Sequence, residues 1–169
     1  MLPIICIVGN SDSGKTTLIE KLIPELKRRG YRIGTIKHAS HGFDMDQKGK
    51  DSWRHRAAGA DAVMVSSPGK IAFMQNTDSD SLDHLLSYFR NTDMVIAEGY
   101  KHDAKPKIEI FRKGISSSAQ PLFLGSPDLA ALVTDAEIET ECEKFGLEDI
   151  AAIADFIETR FLSKNNTDI

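Results

Sequence analysis

The sequence of 169 residues predicts an α/β fold: a mainly parallel, twisted sheet with helices on both faces and an added β-hairpin. Short apolar runs rich in β-branched residues recur along the chain, and such runs are typical of strands buried on both faces of a parallel sheet. Segments with apolar residues at helical spacing separate most of these runs, which is the pattern of βαβ units. The length suits one domain. We therefore expect a single domain over residues 1–162 and a polar tail over residues 163–169.

The chain opens with a predicted strand, helix and strand. Ile4–Val8 is wholly apolar and is closed by Gly9, which predicts a strand in the centre of the sheet. The next segment repeats leucines at four-residue steps, as one face of a helix does: Leu18, Leu22 and Leu26. Gly30 follows a basic turn and is the expected end of that helix. Tyr31–Ile36 is the second predicted strand.

The remaining apolar patterns predict two short helices, three further strands and a closing helix, in chain order Asp51–Ala60, Ser81–Phe89, Met94–Ala97, Lys107–Arg112, Leu129–Val133 and Leu147–Phe161. Between the short helices, Ala62–Ser66 and Ile71–Met74 are predicted strands joined by a turn at Pro68-Gly69. This hairpin breaks the alternation and accounts for the antiparallel part of the prediction. The strand Lys107–Arg112 alternates isoleucines with charged residues, which predicts that it is half exposed. We expect a loop over Gly114–Pro121.

Composition and charge narrow the class of function. Hydrophobic residues make up 41% of the chain and charged residues 27%, which is ordinary for a globular protein. The net charge of −4 provides no broad basic field for nucleic acid or an anionic membrane. The apolar run Leu2–Val8 is far shorter than the ~20 residues of a membrane span. Cys6 and Cys142 are too few for a disulfide framework and fit a reducing compartment. We therefore expect a cytoplasmic protein with neither nucleic acid nor membrane as a partner.

One segment matches the phosphate-binding motif G-x-x-x-x-G-K-[ST] in full: Gly9, Asn10, Ser11, Asp12, Ser13, Gly14, Lys15 and Thr16. It lies directly between the first strand and the first helix, where the mechanism requires it. Backbone N–H groups of such a loop form a nest for a phosphate at the helix N-terminus. Lys15 would neutralise the β- and γ-phosphates, and the Thr16 hydroxyl would hold Mg²⁺. The motif predicts a P-loop NTPase fold that binds a nucleoside triphosphate with magnesium.

A second part of the site is expected where Met94–Ala97 ends, at Glu98 and Gly99. Ligands of open α/β sheets collect at the edge where parallel strands end. Glu98 is the candidate carboxylate for Mg²⁺, reached through water, and the Gly99 N–H is a candidate donor to the terminal phosphate. The alternative for Glu98 is a solvated loop acid. Asp93 stands at the opposite end of the strand and should face away from the site.

The segment Lys37–Asp46 follows the second predicted strand and is a candidate for sensing the terminal phosphate. Asp44 or Asp46 could join the Mg²⁺ shell or orient a water, and Asp44 is the candidate for both metal binding and catalysis. A zinc site that includes His38 and His41 is an alternative, although the spacing matches no standard zinc pattern. A merely polar loop is the third interpretation of this segment.

The residues that would select a base give a weaker pattern. The chain has no N-K-x-D motif, which ordinarily selects guanine. Thr134 and Asp135 end the last predicted strand where that motif would lie. Asp135 could accept hydrogen bonds from guanine N1 and N2, and a helix N-cap is an equal alternative.

Several blocks together resemble the molybdopterin-guanine dinucleotide biosynthesis protein B family, MobB. They are the phosphate loop with Thr17-Leu18, then Gly34–His38, His41–Asp46, Gly49–Ser52, Arg56–Ala60, Glu98–Lys101, Lys107–Arg112 and Val133–Asp135. They span most of the chain outside the predicted loop and tail. The Gly-Lys-Asp-Ser and Glu-Gly-Tyr-Lys blocks are much more specific than the phosphate loop alone.

The resemblance implies a GTP-binding adapter in the last step of molybdenum cofactor maturation, in which a partner guanylyltransferase attaches GMP to molybdopterin. It also implies a homodimer that hydrolyses GTP weakly, so the chain is at most a slow GTPase, and molybdopterin itself is a candidate ligand. In the family pattern Gly9–Thr17 hold the phosphates, Thr16 and Glu98 serve Mg²⁺, and Asp44 lies in a switch-like segment.

Two other functions remain open from the residues. A small-molecule kinase could use the same scaffold, but such enzymes usually carry arginines on a mobile lid, and Gly114–Pro121 contains none. A metallochaperone-type GTPase would use His38, His41 and the nearby acids to carry a metal. A short basic cluster, Lys101, His102, Lys105 and Lys107, suits either a phosphorylated pterin or a solvated surface.

Overall fold

The computed structural model describes residues 2–115 and 117–162. In chain order its elements are β1 (Ile4–Gly9), α1 (Lys15–Arg28), β2 (Ile33–Lys37), α2 (Asp51–Ala57), β3 (Ala62–Ser67), β4 (Lys70–Gln75), α3 (Leu82–Leu86), β5 (Met94–Glu98), β6 (Lys107–Phe111), β7 (Leu129–Thr134), β8 (Glu143–Phe145), α4 (Ile150–Ile157) and a π-helical segment (Glu158–Leu162). Two compact units result: Met1–His38 with Leu85–Ile169, and Ala39–His84.

The larger unit contains a six-stranded sheet in the order β2-β5-β1-β6-β7-β8. Every neighbouring pair is parallel. β1 lies in the middle, between β5 and β6, although β5 and β6 come much later in the chain. Because the strands are parallel, β1, β5, β6 and β7 all end at the same edge of the sheet. The predicted α/β class is confirmed, and this edge is where the candidate site lies.

The sheet is buried on both faces. On one face α1 and α4 pack together over an apolar cluster. Its strand members include Ile5, Ile7, Met94, Ile96, Ile108, Ile110, Ala131 and Val133. The side chains that alternate with these, such as Cys6 and Val95, are also fully buried. Burial raises the pKa of the Cys6 thiol to about 12, so Cys6 is a core residue rather than a reactive thiol.

The prediction of a half-exposed β6 is wrong, because all five of its residues are buried. Lys107 and Glu109 are each only 1% exposed. The Lys107 ammonium donates to the carbonyls of Asp103 (2.5 Å) and Lys105 (3.0 Å) and lies 3.3 Å from the Asp128 carboxylate. Such partners offset the cost of burying a charge. Lys107 therefore starts a central strand and cannot belong to a basic ligand-binding cluster.

Several element bounds also differ from the prediction. β8 was not predicted; it is a three-residue strand at the sheet edge and too short for a clear apolar pattern. α2 ends at Ala57 because the chain turns at Gly59, whose φ of +102° favours glycine. The predicted helix Leu147–Phe161 begins at Ile150 and continues as the π-helical segment. The predicted tail lies outside the described residues.

Among the described helices, none is both long enough and apolar enough to cross a membrane.

The unit Ala39–His84 contains α2 and the predicted hairpin, which is confirmed. β3 and β4 form their own two-stranded antiparallel sheet, with Met64 opposite Phe73 and Ser66 opposite Ile71. Side chains two apart on a strand share a face, so Met64, Ile71 and Phe73 lie on one face of the hairpin. Met64 is 59% exposed, Ile71 67% and Phe73 42%. The hairpin therefore presents an unusually apolar outer face.

Candidate functional site

The predicted phosphate loop joins the end of β1 to the start of α1. Its backbone enters the left-handed region at Asp12 (φ +60°) and Gly14 (φ +98°). Alternation between right- and left-handed conformations turns successive N–H groups toward one concave point. α1 begins after Gly14 without a side-chain N-cap hydrogen bond. The helix start therefore leaves its first N–H groups to a ligand, and the helix dipole favours an anion there.

Gly9 is required by space as well as by conformation. Its φ is +146°, and a Cβ at this position would lie 2.4 Å from the Ile110 carbonyl oxygen and 2.8 Å from the Ser13 hydroxyl. The loop thus passes directly against β6. Ser13 is fully buried, and its hydroxyl has no hydrogen-bond partner within the described part of the chain.

Lys15 bends back over the loop that precedes it. Its ammonium donates to the carbonyl of Asn10 at 2.6 Å and lies 3.4 Å from the carbonyl of Gly9. Partial burial lowers the pKa of Lys15, and the Glu98 carboxylate opposes that shift. The ammonium therefore lies against the phosphate loop, and its role in neutralising phosphate charge stays a prediction.

Thr16 and Glu98 meet although 82 residues separate them. The Thr16 hydroxyl lies 3.0 and 3.1 Å from the two Glu98 carboxylate oxygens. The parallel pairing of β1 with β5, in which Ile7 lies opposite Glu98, produces this contact. The Lys37 ammonium lies 3.4 Å from the same carboxylate, whose side chain is 14% exposed. A hydroxyl and a carboxylate are the oxygen ligands that Mg²⁺ prefers, so these residues fit the predicted metal.

The predictions for Gly99, which follows Glu98, and for Asp93, at the opposite end of β5, have different outcomes. The Gly99 N–H donates to the Ile7 carbonyl at 3.0 Å. That bond occupies the donor assigned to the terminal phosphate, so the role predicted for Gly99 is not supported by this geometry. Asp93 faces away as expected, because its carboxylate holds the backbone N–H and the guanidinium of Arg32 at the other end of the strand.

Asp44 lies on the segment that follows β2, in the unit Ala39–His84. Its carboxylate accepts a hydrogen bond from the Asp46 N–H at 3.2 Å, and Asp46 in turn accepts from the Ser52 hydroxyl at 2.9 Å. The roles predicted for Asp44 in metal binding and catalysis stay predictions. Across residues 2–115 and 117–162, no group of three or more metal-ligating side chains is assembled. Within those residues the zinc alternative therefore has no supporting cluster. The His38 ring instead packs 4.9 Å from that of Tyr100.

Thr134 and Asp135 lie where β7 ends, next to the end of β6. The Asp135 carboxylate accepts from the Lys113 N–H at 2.8 Å. The Thr134 hydroxyl accepts from the Ala136 N–H at 3.0 Å. Residues 136–142 are irregular and contain no helical turn, so the N-cap alternative is wrong. Asp135 also lines an open cavity of about 580 Å³ between the ends of β6 and β7. The carboxylate therefore remains available as a base-binding candidate.

Two features near the loop were missed by the sequence analysis. The Asn10 amide donates to the Ser118 hydroxyl at 3.1 Å, which joins the phosphate loop to the loop predicted over Gly114–Pro121. Arg112 leaves the end of β6 and lines a cavity of about 130 Å³ together with Gly14 and Thr17. A basic residue directly after a strand that ends at the site edge is a signal that could have indicated Arg112.

Comparison with known proteins adds a family to this geometry. The sequence model of the family described as molybdopterin guanine dinucleotide synthesis protein B, MobB, matches residues 4–135. That stretch contains the phosphate loop, Glu98 and Asp135.

Individual relatives agree over nearly the whole length. A molybdopterin-guanine dinucleotide biosynthesis adapter protein of Haemophilus influenzae is 39% identical, covering 93% of this chain and 88% of its own. The protein of the same name from Escherichia coli is 35% identical, covering 98% and 97%. A crystal structure of molybdopterin-guanine biosynthesis protein B is similar with a TM-score of 0.75 at 30% identity, covering 92% of this chain and 98% of that one.

Proposed function

The chain belongs to the molybdopterin guanine dinucleotide synthesis protein B family, MobB, and we propose that it is a GTP-binding adapter in molybdenum cofactor biosynthesis. Two relatives that carry the adapter name match it over 88% and 97% of their own length. In this role it assists the attachment of GMP to molybdopterin by a guanylyltransferase, and molybdopterin is a second candidate ligand. The sparse cysteines favour the cytoplasm as its location.

The observation that carries the nucleotide-binding part is the arrangement of Lys15, Thr16 and Glu98 around the phosphate loop. The nest and the α1 N-terminus would hold the β-phosphate by backbone N–H groups, and Lys15 would exchange its carbonyl partners for phosphate oxygens. Thr16 and Glu98 would hold Mg²⁺, which supplies positive charge between the phosphates. Thr17, at the next position of α1, would complete the phosphate contacts.

We expect hydrolysis of GTP to be slow. The groups described at the loop bind and neutralise phosphates, and binding the ground state and the transition state equally well does not accelerate the chemical step. Asp44 is our candidate for orienting an attacking water. The adapter role requires stable binding more than turnover.

We also propose that the protein is a homodimer through the hairpin face of Met64, Ile71 and Phe73. An exposed apolar face of this kind is costly in water and is typical of an interface. In an antiparallel hairpin the face is continuous across both strands, which suits an identical face related by a twofold axis.

Isothermal titration tests nucleotide binding directly. We expect wild-type protein to bind GTP more tightly with Mg²⁺ than without it. Lys15→Ala should weaken GTP binding by about 10- to 100-fold or more, because it removes charge-assisted bonds to phosphate. Lys27→Ala, at an exposed position on the same helix, is the matched control. Circular dichroism should show both variants folded, and tight binding by Lys15→Ala would contradict the site.

The adapter role has its own test. The purified protein is mixed with a molybdopterin guanylyltransferase, and complex formation and the yield of guanine dinucleotide are measured with and without it. We expect co-elution of the two proteins and a higher yield. No complex and no change in yield would contradict the adapter proposal even if GTP binds.

A further inference from the structure

Arg112 presents a buried donor next to the phosphate loop. It directly follows β6, in which Ile110 lies opposite Gly9 of the loop. The Arg112 Nε is buried and has no hydrogen-bond partner among residues 2–115 and 117–162. The nearest opposite charge is the Asp135 carboxylate, 3.8 Å away, which is beyond hydrogen-bond range. The side chain as a whole is 37% exposed, so a ligand can reach the guanidinium from solvent. A buried Nε without a partner costs free energy, which a ligand that accepts its hydrogen bond would offset.

The cavity that Arg112 lines adjoins the phosphate nest. Its volume is about 130 Å³, and its wall contains Ser13, Gly14 and Thr17 on one side and Val133 and Leu147 on the other. Ser13, with its own unpartnered hydroxyl, is a second buried polar group at this wall. Asp135 lines a separate, larger cavity of about 580 Å³ at the ends of β6 and β7. A triphosphate held in the nest would direct its nucleoside toward these strand ends, where Arg112 and Asp135 lie.

Asp135 is fixed in a complementary position. One carboxylate oxygen accepts from the Lys113 N–H, which sets the orientation of the group. The other oxygen is the one that faces Arg112. The Arg112 Nε donor and the Asp135 acceptor thus lie 3.8 Å apart at the ends of neighbouring strands.

We propose that Arg112 and Asp135 together select a guanine base, an inference that rests on the nucleotide binding proposed above. The Arg112 guanidinium donates to guanine O6 and N7, the geometry in which arginine commonly recognises this base. The Asp135 carboxylate accepts from N1–H and the N2 amino group. Adenine presents an amino donor in place of O6, so Arg112 would keep only the N7 contact. Adenine also lacks the N1 hydrogen and the N2 amino group, so Asp135 would lose both of its donors. The pair therefore replaces the missing N-K-x-D motif.

The test compares three ligands on each protein by isothermal titration: GTP, ATP and inorganic tripolyphosphate. Wild-type protein should bind GTP about tenfold or more tightly than ATP. Arg112→Gln should weaken GTP binding by about tenfold or more and leave ATP and tripolyphosphate unchanged. The matched control is Arg28→Gln, at the far end of α1 and 71% exposed, which should change none of the three.

A second variant tests Asp135 without depending on the first. Asp135→Asn keeps an oxygen for the Lys113 N–H but replaces one acceptor with an amide donor. It should weaken GTP binding and strengthen binding of xanthosine triphosphate, whose O2 accepts where guanine N2 donates. Circular dichroism establishes that both variants fold.

The outcomes separate this inference from the proposed function. If Arg112→Gln weakens GTP, ATP and tripolyphosphate alike, Arg112 acts on phosphate and the inference is overturned. It is also overturned if the preference for GTP survives in Arg112→Gln, or if wild-type protein binds GTP and ATP equally. If wild-type protein binds neither nucleotide nor tripolyphosphate, the proposed function itself fails.

Discussion

At the scale of single residues, the site depends on groups that are distant in the chain and adjacent in space. The Thr16 hydroxyl contacts the Glu98 carboxylate at 3.0 Å. The two residues were predicted separately, one from the phosphate motif and one from its place after an apolar run. Their contact follows from the pairing of β1 with β5 and gives each prediction a geometry that can be tested.

Glu98→Gln should reduce the Mg²⁺-dependent part of GTP binding by about 10- to 100-fold, because the amide keeps the size of the side chain but removes its charge. Binding without metal should change little. Titration of GTP with and without Mg²⁺ measures both. Asp93→Asn, at the opposite end of the same strand, is the control, and equal losses with and without metal would argue against a magnesium role.

Glu109 is a buried carboxylate beside the site that stabilises the fold by hydrogen bonds. Its carboxylate accepts from the N–H groups of Leu122 (2.6 Å) and Phe123 (2.9 Å). Burial raises the pKa of Glu109, and these two hydrogen bonds oppose the shift. The contact holds the chain that returns from the loop bearing Ser118.

Glu109→Gln should lower the free energy of unfolding by about 1–3 kcal/mol, since an amide presents its NH₂ to one of two buried N–H groups. Urea denaturation followed by circular dichroism measures the change. Glu143→Gln, at an exposed position on β8, provides the comparison. If the two variants have the same free energy of unfolding, the hydrogen bonds to Glu109 contribute nothing measurable to stability.

At the scale of elements, the edge of the sheet is fastened by an ion pair away from the site. Asp93 lies just before β5. Its carboxylate accepts a hydrogen bond from the backbone N–H of Arg32 at 2.7 Å and forms an ion pair with the Arg32 guanidinium at 2.7 Å. Arg32 precedes β2, so the contact joins the starts of two neighbouring strands. These hydrogen bonds hold the pKa of Asp93 at about 2, below its ordinary value of 3.8.

The pH dependence of stability follows from that shift. A carboxylate with a lowered folded-state pKa contributes its stability above the ordinary pKa and loses it as the pH falls toward the folded-state pKa. Wild-type protein should therefore unfold at a higher temperature than Asp93→Asn at pH 7, and the difference should shrink between about pH 4 and pH 2. Thermal melts across this range measure it. Asp51→Asn, whose carboxylate is 90% exposed, should show no such convergence.

At the scale of the whole molecule, the proposed homodimer depends on the hairpin. Ile71→Lys places a charge on the face formed by Met64, Ile71 and Phe73, at the end nearer the turn. It should weaken self-association by about tenfold to a hundredfold, because burial of one isoleucine contributes most of that free energy. Light scattering coupled to size-exclusion chromatography measures the mass over a concentration series.

The control for that variant is Ile115→Lys, at an exposed isoleucine outside the hairpin. It should leave the mass unchanged. Equal effects from the two substitutions, or a wild-type protein that is monomeric at every concentration, would contradict a dimer through the hairpin.

The sequence by itself determined the class of fold and the phosphate loop, and it predicted Glu98 as a magnesium ligand. Each of these is local: an apolar run, a helical repeat and a glycine motif specify backbone conformation over a few residues. Local apolar patterns also predicted the buried strand before the loop and the amphipathic helix after it. The hairpin also followed from a local turn at Pro68-Gly69.

Only the tertiary structure decided which long-range neighbours each residue has. The alternation of isoleucines with charged residues in β6 suggested one solvent-exposed face. Lys107 and Glu109 are nevertheless buried, because their hydrogen-bond partners come from other segments of the chain. The Gly99 donor is taken by β1, and the Arg112 guanidinium stands beside Asp135. Strand order sets all three, and strand order is fixed by packing of the whole sheet rather than by the pattern of any single segment.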